Sequence, residues 1–242
     1  MAFAFIPIYI KLIGIESYGL IGFFAIFQSS LALFDMGMKP ALGRETAKIS
    51  ENRDMARSHQ VRNLLRSVEL ISIIIVIALI LLMFASSSWI AMNWLQSESL
   101  DYEMIRKSII IFVGISCLQF LESIYTSCLS GLQRQVLLNI LISSFATLKG
   151  VGAVFVLTFI SPTVITFFIW QLIVSIMSLL VISYSLYSTL PKSDQPTKFS
   201  FLEIQKIWRY AFGMLGITFV ALTLTQLDKV ILSNILPLSA FG

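Results

Sequence analysis

Leu70–Ala85 reads LISIIIVIALILLMFA, sixteen residues of almost pure Ile, Leu and Val with no ionisable side chain. Extended to 68–92, the run is long enough to cross hydrocarbon, which takes about 20 apolar residues as a helix. A helix that is apolar all round belongs in lipid or in a large core. This one reads as lipid-facing scaffold, and the rest of the chain repeats its length. Five further segments meet the same standard, at 18–38, 105–129, 136–160, 163–188 and 211–236. Residues 1–13 are apolar but short, and Lys11 interrupts their end. They lack the basic leader and small-residue cleavage site of a signal peptide. They read as the back end of a helix whose front lies outside this chain.

Composition agrees. Of the 242 residues, 57% are hydrophobic and 12% charged, and the mean hydropathy is +0.88. A soluble domain carries about 25% charged residues because its surface faces water. A soluble enzyme, a disordered chain and a disulfide-stapled secreted module are excluded on that ground. One histidine, His59, and two cysteines, Cys117 and Cys128, offer no metal-ligand cluster. The cysteines lie eleven positions apart in one apolar stretch, roughly 16 Å along a helix, too far to bridge. No metal and no cofactor is expected.

The charges are unevenly placed. Residues 39–66 hold seven basic side chains (Lys39, Arg44, Lys48, Arg53, Arg57, Arg62 and Arg66) against Glu45, Glu51 and Asp54, a surplus equal to the formal net charge of +4 for the whole chain. No aromatic residue interleaves with them, and apolar segments bracket them, so nucleic acid is not the expected partner. A cytoplasmic loop obeying the positive-inside rule accounts for the run. The other connections alternate to match. The 93–104 connection carries Glu98, Asp101 and Glu103 and should lie outside, with Arg106 and Lys107 snorkelling at that end. The turn at 130–135 holds Arg134 and should lie inside, Ser161-Pro162 outside, and the basic 189–210 stretch inside again. Phe201–Arg209 has helical apolar spacing and should rest along the inner surface.

Each charge within a span carries a cost of about 2.5–3.5 kcal/mol or more and needs a reason. Such charges are Asp35, Glu122, Lys149, Asp228 and Lys229. Helical spacing sets them on polar faces. These are Ile21, Ala25, Gln28, Ala32 and Asp35; Ser116, Gln119, Glu122, Ser123, Thr126 and Ser130; Asn139, Ser143, Ala146, Lys149, Gly150 and Ala153; Gln171, Ser175, Ser178 and Ser185; and Thr218, Ala221, Thr225 and Asp228. Two readings compete. In one, the small and hydroxyl residues are helix–helix glue and Glu122 and Lys149 form a mutual ion pair. In the other, they line a wet central cavity for a polar substrate or coupling ion. Five polar-faced helices exceed what cohesion of a small bundle requires, which favours a pathway. Asp35, near a helix end, serves equally well as a cap or as a partner of Lys39. No Ser/His/Asp set, carboxylate pair or Gly-rich phosphate loop is present, so no enzyme is expected. Without an ATP site, transport would draw on an ion gradient, the membrane potential or the substrate's own gradient.

Three stretches carry a family resemblance. Ile10–Leu20 (IKLIGIESYGL) resembles the first outer turn of the polysaccharide-biosynthesis membrane proteins, the Wzx-type O-antigen flippases. Asp35–Glu45 (DMGMKPALGRE) is similar to their Asp-Leu-Gly-leading segment, and Gln226–Leu232 (QLDKVIL) to their seventh-helix motif. A short echo between Ile13–Gly19 and Leu236–Gly242 points the same way, towards a second copy of the first half. The resemblance implies an all-α polytopic membrane protein of the multidrug/oligosaccharidyl-lipid/polysaccharide exporter fold. On that basis 1–190 is the N-terminal six-helix lobe of a two-lobe flippase, with its first helix truncated. Residues 191–210 are a cytoplasmic linker and interfacial segment, and 211–242 the first helix of a second lobe whose remainder is absent.

The function implied is the flipping of undecaprenyl-pyrophosphate-linked oligosaccharide across the bacterial inner membrane, for O-antigen, capsule or exopolysaccharide. Lys149 would meet the pyrophosphate or acidic sugars, and Lys39 and Arg44 the same headgroup nearer the cytoplasmic mouth. Glu122, Gln119, Asp35, Asp228 and Lys229 complete the expected pathway. Partners would be the lipid-linked substrate, membrane lipids, a coupling sodium ion or proton, and a polysaccharide polymerase with its chain-length partner. The alternatives are an ion-coupled exporter of small amphipathic molecules and an inactive truncated scaffold. The sign of the cavity separates the first two readings: cationic for an anionic lipid headgroup, acidic for a cationic drug.

Overall fold

A computed structural model describes residues 2–30, 38–51, 55–89 and 101–190, with 199, 205, 212–217, 219–221 and 223–224. Asp35, Asp228, Lys229, the Phe201–Arg209 stretch apart from Gln205, and the Leu236–Gly242 end of the internal echo lie outside the described residues. The architecture is all-α, and no strand occurs among those residues. Among the described residues up to Leu190, seven helices follow in order: α1 (Ala2–Ile13), α2 (Ile15–Ser30), α3 (Met38–Glu51), α4 (Met55–Trp89), α5 (Tyr102–Gly131), α6 (Gln135–Phe159) and α7 (Val164–Thr189). Four of them, α4 to α7, are long and apolar enough to cross a membrane, and they coincide with the expected spans at 68–92, 105–129, 136–160 and 163–188. The expected spans 18–38 and 211–236 meet shorter apolar helices, Ile15–Ala25 and Phe212–Ala221.

The turns follow local chemistry. Gly14 takes a φ of +84°, the left-handed geometry that ends helices and that glycine adopts without strain. Its N–H closes α1 on the Ile10 carbonyl at 3.0 Å, and its own carbonyl accepts from Tyr18 N at 3.1 Å to open α2. Between α6 and α7, Thr163 is the N-cap, its hydroxyl accepting from Thr166 N at 3.3 Å. A tight turn over 132–134 joins α5 to α6.

The basic stretch 39–66 is not a loop. Its first part is α3, packed against the second half of α5, and its last part is the opening of α4. Hydropathy marks where a segment stops being apolar, not where its backbone hydrogen bonding stops, and Arg and Lys are good helix formers. At 35 residues, α4 is about 52 Å long, well beyond the roughly 30 Å of hydrocarbon. Arg62 and Arg66 therefore ride on a helical extension. Within α3, Glu45 accepts from Lys48 Nζ at 2.7 Å and from Arg44 at 3.2 Å. Partial burial pushes the Glu45 carboxyl up, but these two cations outweigh it and hold it below its usual range.

Helix α5 is the hub, contacting α3, α4, α6 and α7. Two apolar cores form along it. One gathers Leu20, Phe24, Ile105, Ile109, Phe112, Leu157, Val164, Phe167 and Phe168, with Phe24 stacked on Phe112 at 4.3 Å. The other gathers Leu42, Leu64, Leu65, Val68, Ile124, Leu129, Ile182 and Leu186. Along α4, Ile74, Ile77, Leu81, Leu82 and Phe84 point away from the bundle, as expected of scaffold facing lipid. Between the two cores, near the midpoints of α5, α6 and α7, lies a belt of polar residues.

Candidate functional site

The belt surrounds a recess of about 390 Å³, lined by Gln28 of α2, Lys39 of α3, Ser116, Gln119, Phe120, Glu122, Ser123 and Thr126 of α5, and Ile142 and Lys149 of α6. That volume falls in the range of small-ligand sites. Spacing explains the α5 contribution: Ser116, Gln119, Glu122, Ser123 and Thr126 recur every three or four residues and so share one face. Lys39 sits at the first turn of α3, its ammonium 5.4 Å from the centroid of the Phe120 ring, a cation–π contact. Ser127 donates to the Lys39 carbonyl at 2.5 Å, which pins that turn to α5.

Glu122 and Lys149 face the same recess and attract one another electrostatically. They are not in direct contact, since no ion pair joins them among the described residues. The buried Ser178 hydroxyl of α7 reaches the Glu122 carboxyl. The Oε2 atom of Glu122 is shielded and without a hydrogen-bond partner, and so is the Ser116 hydroxyl farther along α5. Buried polar atoms in folded proteins are nearly always satisfied, by protein or by a bound species. Both residues line the recess, although these two atoms have no surface open to it.

The backbone around Lys149 is keyed by its neighbours. Three consecutive α6 carbonyls each accept a side-chain hydrogen bond: Leu148 from Trp170 Nε1 at 3.2 Å, Lys149 from Gln171 Nε2 at 3.3 Å, and Gly150 from the Tyr9 hydroxyl at 3.0 Å. Gly150 and Gly152 allow this approach. A Cβ on Gly150 would meet the Phe5 ring at 2.7 Å, and one on Gly152 would collide with the Trp170 ring. The rotation of α6 that presents Lys149 is thus fixed from both α1 and α7.

Of the residues expected on the pathway, Lys149, Glu122, Gln119 and Lys39 come together here. Arg44 does not line the recess; its guanidinium turns to Glu45 on α3. On α6, Asn139, Ser143 and Ala146 are exposed and do not line the recess, which α6 meets at Ile142 and Lys149. Asp35, Asp228 and Lys229 lie outside the described residues.

A second buried carboxylate was not singled out by sequence reasoning. Glu69 of α4, only 5% exposed, accepts from the Tyr187 hydroxyl at 2.5 Å and pairs with Arg66 at 3.5 Å. The Tyr125 hydroxyl lies within hydrogen-bonding reach. Glu69 therefore ties α4 to both α5 and α7. A lone acid one residue before a long apolar run was the signal. Glu69→Ala is expected to lower stability by about 3–5 kcal/mol, because the donors around it lose their acceptor. Tyr187→Phe, which removes one donor, should cost about 1–3 kcal/mol. Thermal unfolding of the purified protein measures both, and a wild-type melting temperature in Glu69→Ala would deny the cluster any clamping role.

Compared with protein-family models, with curated proteins and with solved structures, the chain matches none.

Proposed function

We propose that this chain forms one wall of a translocation pathway that turns an amphiphile with an anionic polar headgroup from one membrane leaflet to the other. The substrate we favour is an undecaprenyl-pyrophosphate-linked oligosaccharide of the bacterial inner membrane. One observation carries the reading. Among helices of membrane-spanning length, a recess collects two lysines, one glutamate and a set of amides and hydroxyls. Lysine and hydroxyl donors suit phosphate oxygens and sugar hydroxyls, and a partly desolvated site strengthens each charge–charge contact relative to water. Two of the three charged side chains lining the recess are lysines, donors that suit an anionic headgroup. On this reading the Lys39 end of the recess opens towards the cytoplasm, where positive-inside placement sets the basic start of α4.

The test is a deletion strain in which synthesis of the lipid-linked repeat unit is intact. Repeat units are expected to accumulate in the inner leaflet, inaccessible to an externally added glycan-specific probe. Units appearing in the outer leaflet at the wild-type rate would refute the proposal.

A further inference from the structure

We infer that Gln28 and Gln119 read a pair of sugar hydroxyls beside a phosphate held at Lys149, so that the recess selects a sugar phosphate over a bare phosphate. This rests on the anionic-headgroup reading above and adds to it the two residues that recognise the sugar.

An aromatic stack brings the two side chains to one place. Phe24 of α2 and Phe112 of α5 lie face to face at 4.3 Å, and Phe168 of α7 meets Phe24 edge-on at 5.2 Å. All three rings are buried, so the stack fixes how α2 and α5 are turned towards one another. Gln28 stands four residues after Phe24, and Gln119 seven after Phe112. Those spacings are one and two helical turns, which keep each glutamine on the face of its own phenylalanine. Both side chains line the recess, and Lys149 joins them from α6.

Their hydrogen-bonding capacity is unspent. The Ser123 hydroxyl donates to the Phe120 carbonyl at 2.5 Å and the Thr126 hydroxyl to the Ser123 carbonyl at 2.9 Å. Ser116 Oγ and Glu122 Oε2 are sealed off from the recess. The carboxamides of Gln28 and Gln119 have no hydrogen-bond partner among the described residues and, unlike those two oxygens, keep open surface.

The chemistry of a carboxamide then names its complement. It carries two N–H donors and an acceptor oxygen in one plane. A phosphate dianion only accepts, so beside it each amide oxygen would face another acceptor. A hydroxyl donates as well as accepts, and two neighbouring hydroxyls on a ring satisfy N–H and C=O together. Lys149, a compact cation with donors alone, suits the phosphate. The recess of about 390 Å³ is near the small end of ligand sites, room for one ring and its phosphate. The sugar it reads is therefore the one joined to the phosphate.

Calorimetry on the full-length protein in detergent tests this with inorganic phosphate, glycerol 3-phosphate and glucose 1-phosphate, at an alkaline pH where all three are dianions. Glucose 1-phosphate is expected to bind about tenfold more tightly than phosphate, the worth of one or two neutral hydrogen bonds. Gln28→Met and Gln119→Met keep side-chain length and remove the amide. Each should bring glucose 1-phosphate down towards the phosphate value and leave phosphate binding at the wild-type level. Wild-type protein that holds phosphate as tightly as glucose 1-phosphate overturns the inference and leaves the anionic-headgroup reading standing, a comparison that needs no variant to fold. Variants that keep the preference, or that lose both ligands in equal measure, overturn it too. Glycerol 3-phosphate binding as well as glucose 1-phosphate replaces the sugar by any phosphorylated diol, such as a phospholipid headgroup, and overturns the assignment. Failure of all three to bind the wild type overturns the anionic-headgroup reading itself.

Discussion

Lys149→Ala in the intact protein is expected to abolish surface polysaccharide while leaving the amount of protein in the membrane unchanged. The Lys149 side chain faces the recess and forms no ion pair among the described residues. What holds this part of α6 in place is its backbone, through the bonds from Trp170, Gln171 and Tyr9, and alanine keeps that backbone. Truncation therefore removes a charge offered to the substrate while keeping the backbone bonds that set the rotation of α6. A charge-assisted hydrogen bond to phosphate contributes about 1.5–3 kcal/mol, or roughly ten- to a hundredfold in affinity at 1.4 kcal/mol per decade. The competing account, a structural Glu122–Lys149 pair, predicts something else. Removing one member of a buried pair leaves the other charge uncompensated, at about 3–5 kcal/mol. Protein level would then fall, and the double substitution Glu122→Gln with Lys149→Met would restore it. Immunoblotting of membranes beside polysaccharide staining separates the two. Normal polysaccharide from Lys149→Ala would take that residue out of the mechanism, and Lys149→Arg, which keeps the charge, should retain part of the activity.

The parts of this molecule legible in its sequence are those governed by one helix at a time. The spans of α4 to α7 follow from apolar length alone, and Ser116, Gln119, Glu122, Ser123 and Thr126 share a face because their spacing obliges them to. The Gly14 break and the Thr163 cap are likewise local chemistry. What spacing cannot supply is which helices are neighbours. Asn139 and Ser143 belong to the same stripe as Lys149, yet they are exposed, while their neighbour Leu138 is the residue that end of α6 buries in the second core. Glu69 meets Tyr187 across 118 positions of sequence, so neither residue advertises the other. The helical character of α3 stayed hidden for a different reason. Its apolar content is low, and its stability comes from lying on α5, a tertiary contact that outweighs its polar composition.

That contact sets up the second large effect. Gly131→Ala, at the end of α5, is expected to dislodge α3, whereas Gly114→Ala on the same helix should be harmless or stabilising. A Cβ on Gly131 would collide with Thr46 Oγ1 and with the backbone carbonyl oxygen of Gly43. The first atom is on a buried side chain already bonded to the Leu42 and Gly43 carbonyls. The second is main chain and can move only if α3 moves as a body. Overpacking of side chains costs about 1–3 kcal/mol, and a clash with backbone should reach or exceed the upper end. At Gly114 the nearest atom to a new Cβ is Leu172 Cδ1 at 3.5 Å, ordinary contact, and alanine improves helix propensity by about 1 kcal/mol. Because α3 begins at the turn that carries Lys39, lifting it off α5 also withdraws one of the two cations from the recess. Gly131→Ala should therefore combine a lower melting temperature with tryptic cleavage after Arg44 or Lys48, sites protected in the wild type by the helix they lie in, and with loss of transport. Equal melting temperatures and equal trypsin resistance for the Gly131 and Gly114 variants would mean that α3 is not seated on α5 and that Lys39 does not reach the recess from there.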